Sequence, residues 1–139
     1  MKREATYRFR LLFASAWLAL IPAVSFAADS ANAAKAAYLQ YCSACHGEGG
    51  KGDGVVSQLM RPKPTDLTVL AKENNGEFPF AKVMASIDGR QTLRAHGDPN
   101  MPVWGEIFKA DTGASMAGEG AIRGKVLLIT DHLKSIQQK

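Results

Sequence analysis

Cysteine is scarce in this chain: two among 139 residues, too few for a disulfide framework. Long apolar runs are missing as well. The N-terminal candidate, residues 11–24, offers fourteen positions broken by Ser15 and Pro22, whereas a spanning helix needs about 20. No stretch shows the strict alternation of a half-buried strand, and there is neither an internal repeat nor a linker. Acid and base nearly balance, 17 − 13 = +4. Such a surplus would suggest nucleic acid or a membrane surface only if it lay in the folded part. With 46% hydrophobic residues, the composition also excludes a disordered chain.

Much of the positive charge sits at the start. Lys2, Arg3, Arg8 and Arg10 precede the apolar run, and Ser25-Phe26-Ala27 supplies a small-x-small exit. Together these are the three parts of a secretory signal peptide. Cleavage is expected after Ala27, leaving residues 28–139 as a single domain with no stable membrane insertion. The removed segment carries four basic residues and Glu4, so the mature charge becomes 13 − 12 = +1. A nucleic-acid footprint is thereby excluded.

The remainder reads as helices joined by long loops. Ala34, Tyr38, Tyr41 and Cys45 form a stripe on a helix over residues 29–40, capped by Ser30 or Asn32 and running into the cysteines. Five glycines in residues 47–54 exclude helix and central strand there. A short helix opens at Thr65 or Asp66 and ends near Asn74-Asn75-Gly76. The next begins at Pro79, places Phe80, Val83, Met84 and Ile87 on one face, and stops at Gly89. Residues 90–102 form a loop before a short helix through Trp104, Ile107 and Phe108. Ile122, Val126, Ile129, Leu133 and Ile136 mark a final, regular helix. A small all-α domain with loops this long and few core side chains needs something to fill it, and a large apolar cofactor would do so.

Cys42-Ser43-Ala44-Cys45-His46 is C-x-x-C-H, the attachment signature of c-type haem. Two thiols three residues apart reach the two vinyl groups of a porphyrin, and the following histidine lies beneath the ring as proximal iron ligand. Three other readings compete. A thioredoxin-type pair needs a strand before it. A plain disulfide is open to any exported chain, and zinc needs a fourth ligand, for which His96 and His132 lack finger spacing. Gly47-Glu48-Gly49-Gly50-Lys51-Gly52 matches G-x-G-x-x-G by letter alone, since no strand precedes it.

The distal ligand sets the chemistry. Met60 follows His46 by 14 residues, a short path around a ring. Met84 lies in an apolar helical stripe, and Met116 in a stretch of small residues. Met101 stands in Pro99-Asn100-Met101-Pro102, 55 residues after His46, where prolines limit backbone freedom. It is favoured, with His96 the main rival.

These motifs resemble the class I, single-haem bacterial cytochromes c over nearly the whole mature chain. Besides the haem motif, the likeness rests on Tyr38 and Ala34 before it and on Gly50-Lys51-Gly52-Asp53-Gly54 after it. Residues 62–68 (Pro-x-Pro-x-Asp-Leu-Thr) and 101–105 (Met-Pro-x-Trp-Gly) add to it. The resemblance implies a small cytochrome c fold with crossing N- and C-terminal helices and loops wrapped around one haem c. It further implies Cys42 and Cys45 as thioether anchors, and His46 and Met101 as axial ligands. A proline carbonyl, from Pro62 or Pro64, would orient the imidazole. His132 stands where the family often has an aromatic residue. Arg90, Arg94 and His96 either pair with haem propionates or form a solvated loop.

The function so implied is that of a monomeric periplasmic electron carrier, not an enzyme. It would serve redox partner proteins: a membrane donor complex and an oxidase, reductase or dehydrogenase. The alternative is a permanent haem subunit of a dehydrogenase or oxidase complex, favoured by an exposed apolar patch around Phe78, Phe80 or Trp104. An open-site sensor or small haem catalyst is the third reading.

Overall fold

The computed structural model describes residues 24–90 and 101–138, with side chains from residue 28 onward. Most of the expected export signal, and with it Arg94 and His96, lies outside the described residues. Those described form five α-helices and no strand: α1 (Val24–Tyr41), α2 (Ser43–His46), α3 (Phe80–Asp88), α4 (Trp104–Thr112) and α5 (Met116–Ser135). None is long and apolar enough to cross a membrane.

Helix α1 starts at Val24, so Ser30 and Asn32 lie inside it rather than at its start. The alanines at 31, 33, 34, 36 and 37 carry the helix through those two poor formers. Its Ala34 and Tyr38 are buried against α5, whose stripe Ile122, Val126, Ile129 and Leu133 is at most 3% exposed. Burying each such side chain contributes about 1.5–3 kcal/mol. The Tyr38 ring meets His132 across this crossing, with centroids 4.8 Å apart. Helix α5 begins earlier than its apolar stripe. Ser115 caps it by accepting the Gly118 N–H at 3.0 Å.

Helices α3 and α4 also pack on α5. Val83 and Ile87 of α3 are buried, as is Phe108 of α4, while Ile107 stays exposed. Gly89 ends α3 in the left-handed region, φ 69°. The helix expected from Thr65 or Asp66 is absent. Only a 3₁₀ turn, Lys72–Asn74, forms before Asn75 and Gly76 turn left-handed. Asp66 Oδ1 accepts from both the backbone N–H (2.8 Å) and the hydroxyl (2.6 Å) of Thr68, a side-chain turn that competes with a helix.

Past α5, Gln137 and Gln138 hold this same loop. Gln137 Nε2 donates to the Leu67 and Leu133 carbonyls, each at 2.7 Å, while its Oε1 accepts the Ala71 N–H at 2.9 Å. Gln138 N donates to the Thr68 carbonyl and its Nε2 to the Thr68 hydroxyl.

Candidate functional site

The cysteines sit where α1 gives way to α2. Cys42 N–H still bonds the Tyr38 carbonyl (2.9 Å), and His46 N–H bonds the Cys42 carbonyl (2.9 Å). One helical turn therefore carries both thiols and the imidazole. The glycine loop then folds back on it. Gly47, Gly50 and Gly52 have φ of 79°, 77° and 74°, which only glycine adopts readily. Gly54 lies so close to α2 that a Cβ would fall 2.3 Å from the Ala44 carbonyl oxygen. The Tyr38 hydroxyl ties this loop to the helix crossing by donating to the Gly47 carbonyl at 2.6 Å.

These elements wall a cavity of about 400 Å³, into which α1, α2, α3, α4, α5 and two loops contribute. Cys42, Cys45, His46 and Met101 all line it. Leu67, Leu70, Val83, Ile87, Ile129 and Leu133 give much of the rest an apolar character. The volume lies within the range of about 300–1,000 Å³ usual for small-molecule and cofactor sites. Met60 lines the same cavity, whereas Met84, Met116 and His132 do not. Met116 is instead 93% exposed at the start of α5, and Met84 packs against the core. His132 is buried in the α1–α5 crossing.

Burial, and then the neighbouring Cys45, push the Cys42 thiol up to about 12, so it is held as the neutral S–H. A thiol-redox site needs the opposite, a thiol driven toward thiolate. Among the described residues, no three His, Cys, Asp or Glu side chains gather as a metal group. No described strand precedes the cysteines either. The pair is not joined as a disulfide. Two thiols, an imidazole and a thioether on one largely apolar cavity are a donor set that fits a c-type haem.

His46 Nδ1 bonds the carbonyl of Thr65 at 3.0 Å, not that of Pro62 or Pro64. Gly52 packs against the Pro64 carbonyl, where a Cβ would come within 2.3 Å, so the next carbonyl along faces the imidazole. A carbonyl can only accept. Nδ1 therefore carries the proton and the lone pair sits on Nε2.

Arg90 is engaged by two carboxylates of the chain itself. Its side chain is 16% exposed and forks onto Asp88 (Nε–Oδ1 2.6 Å, Nη2–Oδ2 3.1 Å) and Glu119 (Nη1–Oε1 2.8 Å). These hydrogen bonds hold both carboxyls below the usual carboxylate range. Phe78, Phe80 and Trp104 are half-buried and do not make the exposed patch expected of a complex subunit. Trp104 stacks on Phe108, centroids 5.7 Å apart, and meets Tyr41 edge-on at 5.5 Å. The strongly exposed apolar side chains are Val55, Leu59 and Met116.

Sequence reasoning missed Thr65, Tyr41 and the leucines of the 66–71 loop as cavity residues. Tyr41 had a signal, its place in the α1 stripe. Thr65 had none beyond its nearness to two prolines. The chain matches no protein-family model, no curated protein and no solved structure.

Proposed function

We propose that the protein is a periplasmic electron carrier with one covalently attached haem c on a cytochrome c fold. Cys42 and Cys45 would anchor the haem as thioethers, and His46 and Met101 would ligate its iron. The observation that carries this reading is the convergence of Cys42, Cys45, His46 and Met101 on one cavity, although Met101 follows His46 by 55 residues. When bound, the haem supplies a one-electron ferric–ferrous couple.

The chain's own residues prepare the site. The Thr65 carbonyl fixes the imidazole tautomer and ring orientation, as an outer partner of a metal-binding histidine does. The neutral Cys42 thiol carries the proton that thioether formation adds to the vinyl group together with sulfur. A methionine thioether is a soft ligand that favours the ferrous state and raises the potential. Met101 is preferred to Met60 because prolines at 99 and 102 restrict its backbone. Apolar walls exclude water, and exposed Arg61 and Lys63 flank the cavity residues Met60 and Pro64. Redox partners would dock there in brief, low-area encounters.

The test is a redox titration of the purified protein followed by absorption spectroscopy, then denaturation and extraction. Haem that stays with the denatured chain and a single reversible one-electron step with a far-red ferric band of Met ligation are expected. Haem that extracts freely, or a Cys42–Cys45 disulfide by mass spectrometry, would refute the reading. Co-migration with a larger enzyme through gel filtration would make it a complex subunit.

A further inference from the structure

The segment that presents Met101 leaves α3 at Gly89-Arg90 and re-enters the helical frame at Trp104, the start of α4. Its two ends touch. Gly105 lies against the Asp88–Arg90 pair so closely that a Cβ would fall 2.0 Å from Asp88 Oδ1 and 2.6 Å from Arg90 Nε. Gly89 likewise abuts Val103, where a Cβ would sit 3.1 Å from Cγ1. Arg90 then ties this neck to α5, its Nη1 lying 2.8 and 3.0 Å from the two oxygens of Glu119. Three helices, α3, α4 and α5, are thus joined by one guanidinium that is largely out of solvent.

We propose that Arg90, through Asp88 and Glu119, is a positioning residue for Met101: it closes the neck of the segment and keeps the thioether sulfur at the cavity. This rests on Met101 as the distal ligand. A guanidinium suits the task because its planar fork binds two carboxylates in fixed directions, which an ammonium does not. Met101 lies only three residues before α4, so freedom at the Arg90–Gly105 contact passes directly to it. A weak thioether–iron bond would have little energy of its own with which to hold Met101 in place.

The test is displacement of the methionine by imidazole in the ferric haem-loaded protein, read as loss of the far-red band. Imidazole binds the state in which Met101 is detached. Raising that state's population about tenfold therefore lowers the midpoint about tenfold. Arg90→Gln and Glu119→Gln should both do so, with Arg90→Lys in between. Asp111→Asn, which removes the exposed contact to Lys125 at 4.0 Å, should leave the midpoint at the parent value. Guanidinium unfolding by far-UV circular dichroism separates positioning from general damage. A merely structural role would lower the unfolding midpoint and leave the imidazole midpoint in place, which overturns the proposal. Should Arg90→Gln fail to fold, Arg90→Lys and Glu119→Gln decide. A parent protein with covalent haem but no far-red band sinks the Met101 assignment and this inference with it. A parent band with identical imidazole midpoints in every variant sinks the positioning role alone.

Discussion

Tyr38→Phe removes a single oxygen from the most enclosed aromatic side chain of the α1–α5 crossing. Tyr38 is 0% exposed, and its ring would stay against His132. What is lost is the O–H donated to the Gly47 carbonyl at 2.6 Å. A net intramolecular hydrogen bond contributes about 0.5–1.5 kcal/mol, and orphaning a buried acceptor costs about 1–3 kcal/mol. The Gly47 oxygen is not orphaned, because the Gly50 N–H still reaches it at 3.2 Å. The loss therefore belongs at the low end, about 1 kcal/mol, or about 4 °C in melting midpoint for a domain of this size. Tyr38→Ala would add a cavity and cost about 3–5 kcal/mol. Guanidinium unfolding of the haem-loaded protein, with equal m-values across the series, measures both. A Phe variant as stable as the parent, or as damaged as the Ala variant, would refute the reasoning.

Met101→Ala should abolish the far-red ferric band and lower the potential; an unchanged band would make Met60 the ligand, since it lines the same cavity. His132 should impose an acid limb on stability. Burial, then the charge of Lys35, lower its pKa from the ordinary value of about 6.5. The unfolded chain then binds a proton that the native one refuses, so stability is full above about pH 6.5 and falls toward the folded-state pKa. His132→Phe should flatten that limb, and parallel stability–pH curves for the two proteins would refute it. Gly54→Ala drives a Cβ into the Ala44 and Ser43 carbonyls and should cost about 1–3 kcal/mol or more; parent-like unfolding would show that the loop gives way freely.

What was legible in the sequence was local and periodic. Ile122, Val126, Ile129 and Leu133 announced α5 because a 3.6-residue period has one buried solution, and Gly89 announced the end of α3 because the left-handed region favours glycine. The C-x-x-C-H run announced that two thiols and an imidazole would share one helical turn, as the Cys42–His46 backbone bond shows. The starts of α1 and α5 were not legible from apolar pattern, since alanine and a serine cap set them instead. The 65–74 segment looked helical until the Asp66–Thr68 turn took its backbone N–H. Contacts between distant residues left no trace at all: Arg90 with Glu119, His46 with Thr65, and Gln137 with Leu67 follow no period. Each is a polar pair whose partner is chosen by the packed helices around it. The cavity likewise gathers Met60 and Met101 together, and spacing alone could only rank them.

The hold that Gln137 and Gln138 keep on the 66–71 loop makes the chain's last described residues a brace behind the cavity wall. A chain synthesised N-terminus first presents Cys42, Cys45 and His46 before residue 137 emerges. Until then Leu67, Thr68 and Ala71 lack the glutamine partners that pin their loop, and that side of the cavity is less firmly held. The cavity is therefore less enclosed until Gln137 and Gln138 dock, and a group as bulky as the proposed haem would enter more easily before they do. By the same reasoning, a purification tag is safer kept away from this end, because anything that pulls Gln137 outward loosens the loop that walls the cavity.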